Sequence, residues 1–274
     1  YYDPQIPETS DWRKVEVAFN SKNYDEVELR IGVNGKSQGK FWLDNVEVEE
    51  IGLVNVLRRP GAPLEVRSAD SGEIYLEGVD FKRVEDPLFN FLFDHEGPAI
   101  ELMPGSRIKE GERLEVDYYH AAVIYQGQTP VCVSEPEVYE IWKSLAPVLQ
   151  DTLKTDYYFL NTDEVRIAGT CHACRERGIS VGEMLGETLR KQMEIIREVN
   201  PDAEFFTWSD MFDPYHNANH DAGEDWYYLT DQSFEGSWKY LPKDLIIVNW
   251  NNRNKRKSTQ FFEELGYSVI AGGY

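Results

Sequence analysis

The sequence predicts a multidomain chain with an all-β N-terminal half followed by an α/β half built on a parallel sheet. Three observations carry this expectation. Apolar residues recur with period two across residues 12–50 and in short runs as far as 118, the spacing turns helical after residue 133, and strand-like and helix-like segments then alternate to the end. The 274 residues, 41% of them hydrophobic, can bury more than one core.

Each element has its own signal. Trp12, Val15, Val17 and Phe19, then Val27, Leu29 and Ile31, then Phe41, Leu43, Val46 and Val48 alternate between Asn-Gly and Gly-rich turns, an antiparallel pattern. Shorter runs at 64–66, 74–76, 100–103 and 114–118 are divided by Pro60-Gly61, Ser71-Gly72, Pro104-Gly105 and Glu110-Gly111. Ser134-Glu135-Pro136-Glu137 reads as a capping box opening a helix through Ile141, Trp142, Leu145 and Leu149. A strand at 157–160 follows, and Ser180 caps a second helix that ends at Asn200-Pro201. Strands at 204–208, 245–250 and 267–271, with a short helix from Ser258, complete the order. A barrel and a doubly wound sheet both fit this alternation.

Charge and composition narrow the function. A net charge of −21, spread along the chain, repels phosphate backbones and anionic surfaces, so nucleic acid is a poor partner, and neutral ligands such as sugars are unaffected. No segment approaches the roughly 18 apolar residues of a membrane span, so no membrane insertion is expected. No G-x-G-x-x-G or P-loop turn follows a strand, which lowers nucleotide-binding readings. The chain begins Tyr1-Tyr2-Asp3 rather than with Met and stops just after a strand-like run, so it reads as a fragment of something longer.

The residues beyond the C-terminal strands are carboxylates and aromatics: Asp163 and Glu164, Trp208 with Asp210, Trp250, and Tyr274. Carboxylates desolvated beside aromatics rise toward the range of a general acid, and flat indoles suit the apolar faces of a pyranose ring. A capping role or a surface ion pair with Arg166 is the plainer alternative for Asp163-Glu164. Together with the tryptophans, the pair favours glycoside chemistry.

The segment Phe159-Leu160-Asn161-Thr162-Asp163-Glu164 resembles the H-x-G-x-D-E strand motif of family 20 glycoside hydrolases, the β-N-acetylhexosaminidases, with Phe159 and Asn161 in place of the histidine and glycine. Trp208, Trp250 and Tyr274 fall where that family carries aromatic residues after later strands, and Glu115-Val116-Asp117-Tyr118-Tyr119-His120 is similar to its E-x-D-x-P-G-H segment. The resemblance implies a partial (β/α)8 TIM barrel over 114–274, comprising strands 3–7. It also implies hydrolysis of terminal β-linked N-acetylhexosamine or related glycosides in an oligosaccharide or polysaccharide. Glu164 would be the acid/base and Asp163 would orient the substrate's own acetamido nucleophile, with Trp208, Asp210, Trp250, Tyr274 and His120 binding the sugar. No cofactor is required. A retaining two-carboxylate scheme with Glu164 as acid/base remains open, as does a carbohydrate-binding protein without catalysis.

Residues 10–50 resemble the second half of a family 4/9-type carbohydrate-binding module, on Asp11-Trp12-Arg13-Lys14-Val15 and Gly39-Lys40-Phe41-Trp42-Leu43-Asp44-Asn45-Val46. That implies a jelly-roll-like β-sandwich over 1–51, a small β domain over 52–113, a structural calcium near Asp44, and an extracytoplasmic or secreted setting. Cys171 and Cys174 form a C-x-x-C with several readings: loop packing, a disulfide, redox chemistry, or zinc completed by Cys132, His120, His216 or His220. The last makes a zinc hydrolase a third class.

Overall fold

The structure, a computed structural model, describes residues 9–19, 21, 25–32, 38–90, 93, 95–121, 128–219 and 228–273. The chain divides into two compact units, one comprising Tyr1–Arg58 and Leu64–Thr129, the other Arg59–Pro63 and Pro130–Tyr274.

The first unit is organised by a three-stranded antiparallel sheet, β1 (Glu65–Ser68), β2 (Ile74–Tyr75) and β3 (Leu114–Asp117), in the order β2-β1-β3. Alternation along β1 sends Val66 and Ser68 inward, where Val66 joins Leu53, Val56, Tyr75, Phe81, Val84 and Ile108 in one apolar cluster. Arg67, facing outward, bridges to Glu115 directly across the ladder at 2.9 Å and to Asp117. Asp80 is fully buried and accepts from Leu76 N at 2.8 Å and from Arg107 Nε at 3.0 Å. These donors, the Arg107 side chain foremost, hold its carboxyl well below the usual range.

The second unit is α/β. Its strands β4 (Tyr157–Leu160), β5 (Glu204–Trp208), β6 (Leu245–Asn249) and β7 (Ser268–Ala271) form a parallel sheet in sequential order. Between them lie α2 (His172–Glu176) and α3 (Val181–Val199) after β4, and α4 (Lys255–Glu264) after β6; α1 (Pro136–Leu153) precedes β4. Ser180 caps α3, its side chain accepting from Glu183 N at 3.1 Å. The apolar stripe Val181, Leu185, Leu189 and Met193 then packs with Tyr158, Leu160, Phe205 and Ile247 from one sheet face and with Phe262 of α4. The opposite face carries Tyr157, Phe159, Phe206 and Trp208, with Phe159 and Trp208 centroids 4.9 Å apart.

The structure corrects the expected fold: it is a mixed α/β arrangement, not an all-β half followed by a (β/α)8 TIM barrel. Among the described residues before 54 there is no strand, and Trp12, Val17, Phe19, Leu29, Phe41, Trp42 and Val48 are exposed, so the period-two pattern builds no β-sandwich or jelly roll there. A strand is stable only when its ladder and its apolar face are both partnered, and neither condition is met among these residues. The segment expected to serve as barrel strand 3 pairs antiparallel with β1 and so belongs to the first unit. The parallel sheet is open, with β4 and β7 at its edges among the described residues. The expected capping box at Ser134 also fails to form. Glu135 is the N-cap and makes no side-chain cap bond, its carboxylate being paired with Arg59, and Pro136 at the first position starts the helix instead. On α1, Tyr139, Trp142 and Ala146 meet Ile195 and Val199 of α3, whereas Ile141, Leu145 and Leu149, expected on the buried face, are exposed.

Among the described residues, no helix is long and apolar enough to cross a membrane.

Candidate carboxylate and tryptophan site

All four parallel strands end at the same side of the sheet, so the residues that follow them are neighbours in space. In an open parallel sheet this carboxyl edge is where ligands bind. Asp163 and Glu164 come from the turn after β4, Trp208 ends β5, Trp250 follows β6, and Gly272 and Gly273 follow β7; these six line one cavity of about 350 Å³. Its size suits a small-molecule ligand.

Local chemistry shapes the turn. Asn161 Oδ1 accepts from Asp163 N at 3.1 Å, tightening the chain as it leaves β4. Thr162 Oγ1 lies 2.7 Å from Thr207 Oγ1, which donates to Leu160 O at 2.9 Å, tying the end of β4 to β5. Glu164 has a φ of 43°, a left-handed conformation that is costly for a side-chain-bearing residue. It is held there by Asp210, whose Oδ2 accepts the Glu164 backbone N–H at 2.9 Å. Across the cavity, a Cβ on Gly272 would lie 3.2 Å from the Trp208 ring and 3.3 Å from Trp250 Cβ, so the absent side chain lets the strand end pass between two indoles.

The electrostatics concentrate around three carboxylates. Asp163 is pushed up to about 6, first by desolvation in the cavity, then by the negative charges of Asp210 and Glu164, against the pull of Arg166 and His216. Its residue surface is largely exposed, so solvent screens part of these effects. Asp210 is fully buried and is pushed up to about 6 by burial, opposed by the Glu164 N–H, Asn217 and Trp250. Asn217 Nδ2 donates to Asp210 Oδ2 at 3.0 Å. Glu164 Oε2 accepts from the buried Arg166 guanidinium at 2.7 Å. His216 packs edge-on against Trp250 with centroids 4.4 Å apart, and burial lowers its pKa.

One buried polar atom beside this centre, His216 Nδ1, makes no hydrogen bond among the described residues, and so marks a position for water or for a polar group of a ligand. A site of carboxyls that keep a proton up to about pH 6, beside two indole rings, is equipped for acid/base chemistry on a neutral, partly apolar ligand.

The structure therefore brings together Asp163, Glu164, Trp208, Asp210 and Trp250. Tyr274 and His220 lie outside the described residues. His120 belongs to the first unit, where Val56 bridges to it and its Nδ1 lies 3.0 Å from Ala121 O; it does not line the cavity. Asp44 is exposed, its Oδ1 accepting from Asn45 N at 2.9 Å, and it joins no group of three or more His, Cys, Asp and Glu side chains among the described residues. Sequence reasoning placed His216 and Asn217 in a loop of substrate-binding length and took His216 as a candidate zinc ligand and Arg166 as a surface partner, but it did not single out the paired glycines. Only the sequence distance from a strand end could have signalled the glycines. A larger cavity of about 410 Å³ in the first unit is lined by groups already paired, such as Lys82 with Glu101 at 2.6 Å.

No family model matches the chain, and no curated protein matches it either.

Proposed function

We propose that the second unit is a glycoside hydrolase acting on terminal β-linked N-acetylhexosamine or a related glycoside of an oligosaccharide or polysaccharide. The observation that supports this reading is the convergence of Asp163, Glu164, Trp208 and Trp250 on one cavity, with Asp163 raised to about 6. Trp208 and Trp250 offer apolar surface for a sugar ring. Asp163 holds a proton below about pH 6 and passes it to the glycosidic oxygen as the bond to the anomeric carbon breaks. Glu164, paired with Arg166, is the carboxylate that stabilises the positive charge developing on the sugar's acetamido group as its oxygen attacks that carbon. Water then opens the cyclised intermediate, and the deprotonated Asp163 takes up its proton. This division of labour reverses the order implied by the family resemblance, because Glu164 rather than Asp163 carries the guanidinium.

A second reading, sugar binding without turnover, draws on the same ion pair. Arg166 occupies Glu164 Oε2 at 2.7 Å and competes with substrate for it.

The experiment compares turnover of chromogenic N-acetylhexosaminides with that of plain hexosides, beside calorimetric binding of a thiazoline analogue of the cyclised intermediate. Preferential turnover of N-acetylated substrates and tight analogue binding are expected. Equal rates on plain glycosides would replace substrate assistance with a two-carboxylate scheme, and sugar binding with no turnover would favour the second reading.

A further inference from the structure

Outside the carboxylate site, the second unit gathers three cysteines from distant parts of its sequence. Cys132 precedes α1, whereas Cys171 is the N-cap of α2 and Cys174 lies within it, in the segment joining Asp163-Glu164 to α3. Cys132 Sγ lies 3.3 Å from Cys171 Sγ and 3.6 Å from Cys174 Sγ, and all three sulfurs fall within 4.8 Å of one another. Tetrahedral zinc with Zn–S bonds of about 2.3 Å separates its sulfurs by about 3.8 Å, so three ligands converge with only small adjustments needed.

We propose that Cys132, Cys171 and Cys174 form a three-thiolate site for a soft cation, Zn²⁺, that anchors the segment following Asp163-Glu164 to the entrance of α1. Binding exchanges three thiol protons for one metal ion, leaving a complex of charge −1. The surroundings suit that charge. Arg59 interacts with Cys171, and Arg177 NH1 donates to Ser134 Oγ at 3.2 Å, itself 3.2 Å from Cys174 Sγ. Ser134 Oγ thus lies at the edge of the thiol cluster.

The arrangement favours a metal over the other readings of C-x-x-C. A disulfide would use two sulfurs and strand the third in the same cluster. The zinc hydrolase scheme needs histidine ligands, but the cluster contains cysteine alone among the described residues, and His216 packs on Trp250 instead. The site is therefore structural. It is independent of the glycosidase reading, so either can fail alone.

Cobalt(II) titration of the reduced, metal-free chain tests the proposal. One equivalent should bind with intense sulfur-to-cobalt charge-transfer absorption in the near ultraviolet, and Zn²⁺ should bleach it. Cys132→Ser should weaken cobalt binding by roughly 10²-fold or more, since loss even of a group supporting a ligand costs about 10–100-fold. Absence of the charge-transfer band in the wild-type chain would overturn the site whether or not the variant folds. So would thiol titration of the chain purified without reductant that finds one free thiol and one disulfide, or an unchanged band in a folded Cys132→Ser protein.

Discussion

Asp210 Oδ2 accepts the backbone N–H of Glu164 at 2.9 Å, so a fully buried carboxylate just beyond β5 holds a residue in the turn after β4 in a left-handed conformation. This bond links the positions of two carboxylates that the sequence separates by 46 residues. Its consequences can be measured.

The first concerns pH. Asp210 is raised to about 6 in the folded chain, above the ordinary carboxylate value of about 4. The folded state therefore binds this proton more tightly than the unfolded state. Its contribution is fully present below about pH 4 and is lost as pH rises to about 6. Asp210→Asn removes that dependence, so wild type should lose stability relative to the variant between pH 4 and 7, by on the order of 2 kcal/mol. Denaturant unfolding of both proteins at the two pH values checks this, and parallel changes would dismiss it.

Strain at Glu164 gives a second prediction. Glu164→Ala and Glu164→Gly both delete the carboxylate and its bond to Arg166, but only glycine tolerates φ 43° without cost. The glycine variant should be the more stable by about 1 kcal/mol, with both inactive. A more stable alanine variant would mean that the turn relaxes out of the left-handed region.

Kinetics separate the two carboxylates. Asp163→Asn should slow glycosides with poor leaving groups by roughly 10²–10⁴-fold and largely spare activated ones. The wild-type rate should fall as pH rises through about 6, where Asp163 loses its proton. Glu164→Gln should slow both substrate classes. The reverse pattern would return the acid role to Glu164.

Packing of α3 supplies a fourth test. A Cβ on Gly186 would lie 2.5 Å from Tyr240 O and 2.6 Å from Tyr240 Cβ, within the second unit. Alanine is the better helix former by about 1 kcal/mol, yet overpacking costs about 1–3 kcal/mol. Gly186→Ala should therefore destabilise the chain and lower its melting temperature. A rise would show that the segment Ser237–Tyr240 can yield.

The elements around the candidate site were legible because their signals are local. The Ser180 cap, the α3 stripe and the apolar runs of β4, β5 and β6 depend on residues within a turn or two of one another, and they appear close to where periodicity puts them. The parallel order followed from the same alternation, and the carboxylates and tryptophans beyond the strands were readable as a group. What tertiary structure decided is everything that depends on partners distant in sequence. The alternating residues 12–48 carry a strand pattern, but burial of a strand's face is a property of its neighbours, and here those side chains are exposed. Leu114–Asp117 joined β1 because its ladder partner was there, and Ser134, one residue before the N-cap, has its hydroxyl engaged by Arg177 and Cys174 instead of a helix N–H. The proton affinity of Asp163 and Asp210 and the meeting of Cys132 with Cys171 and Cys174 likewise arise from desolvation and from contact between residues far apart in the chain, quantities no local pattern encodes.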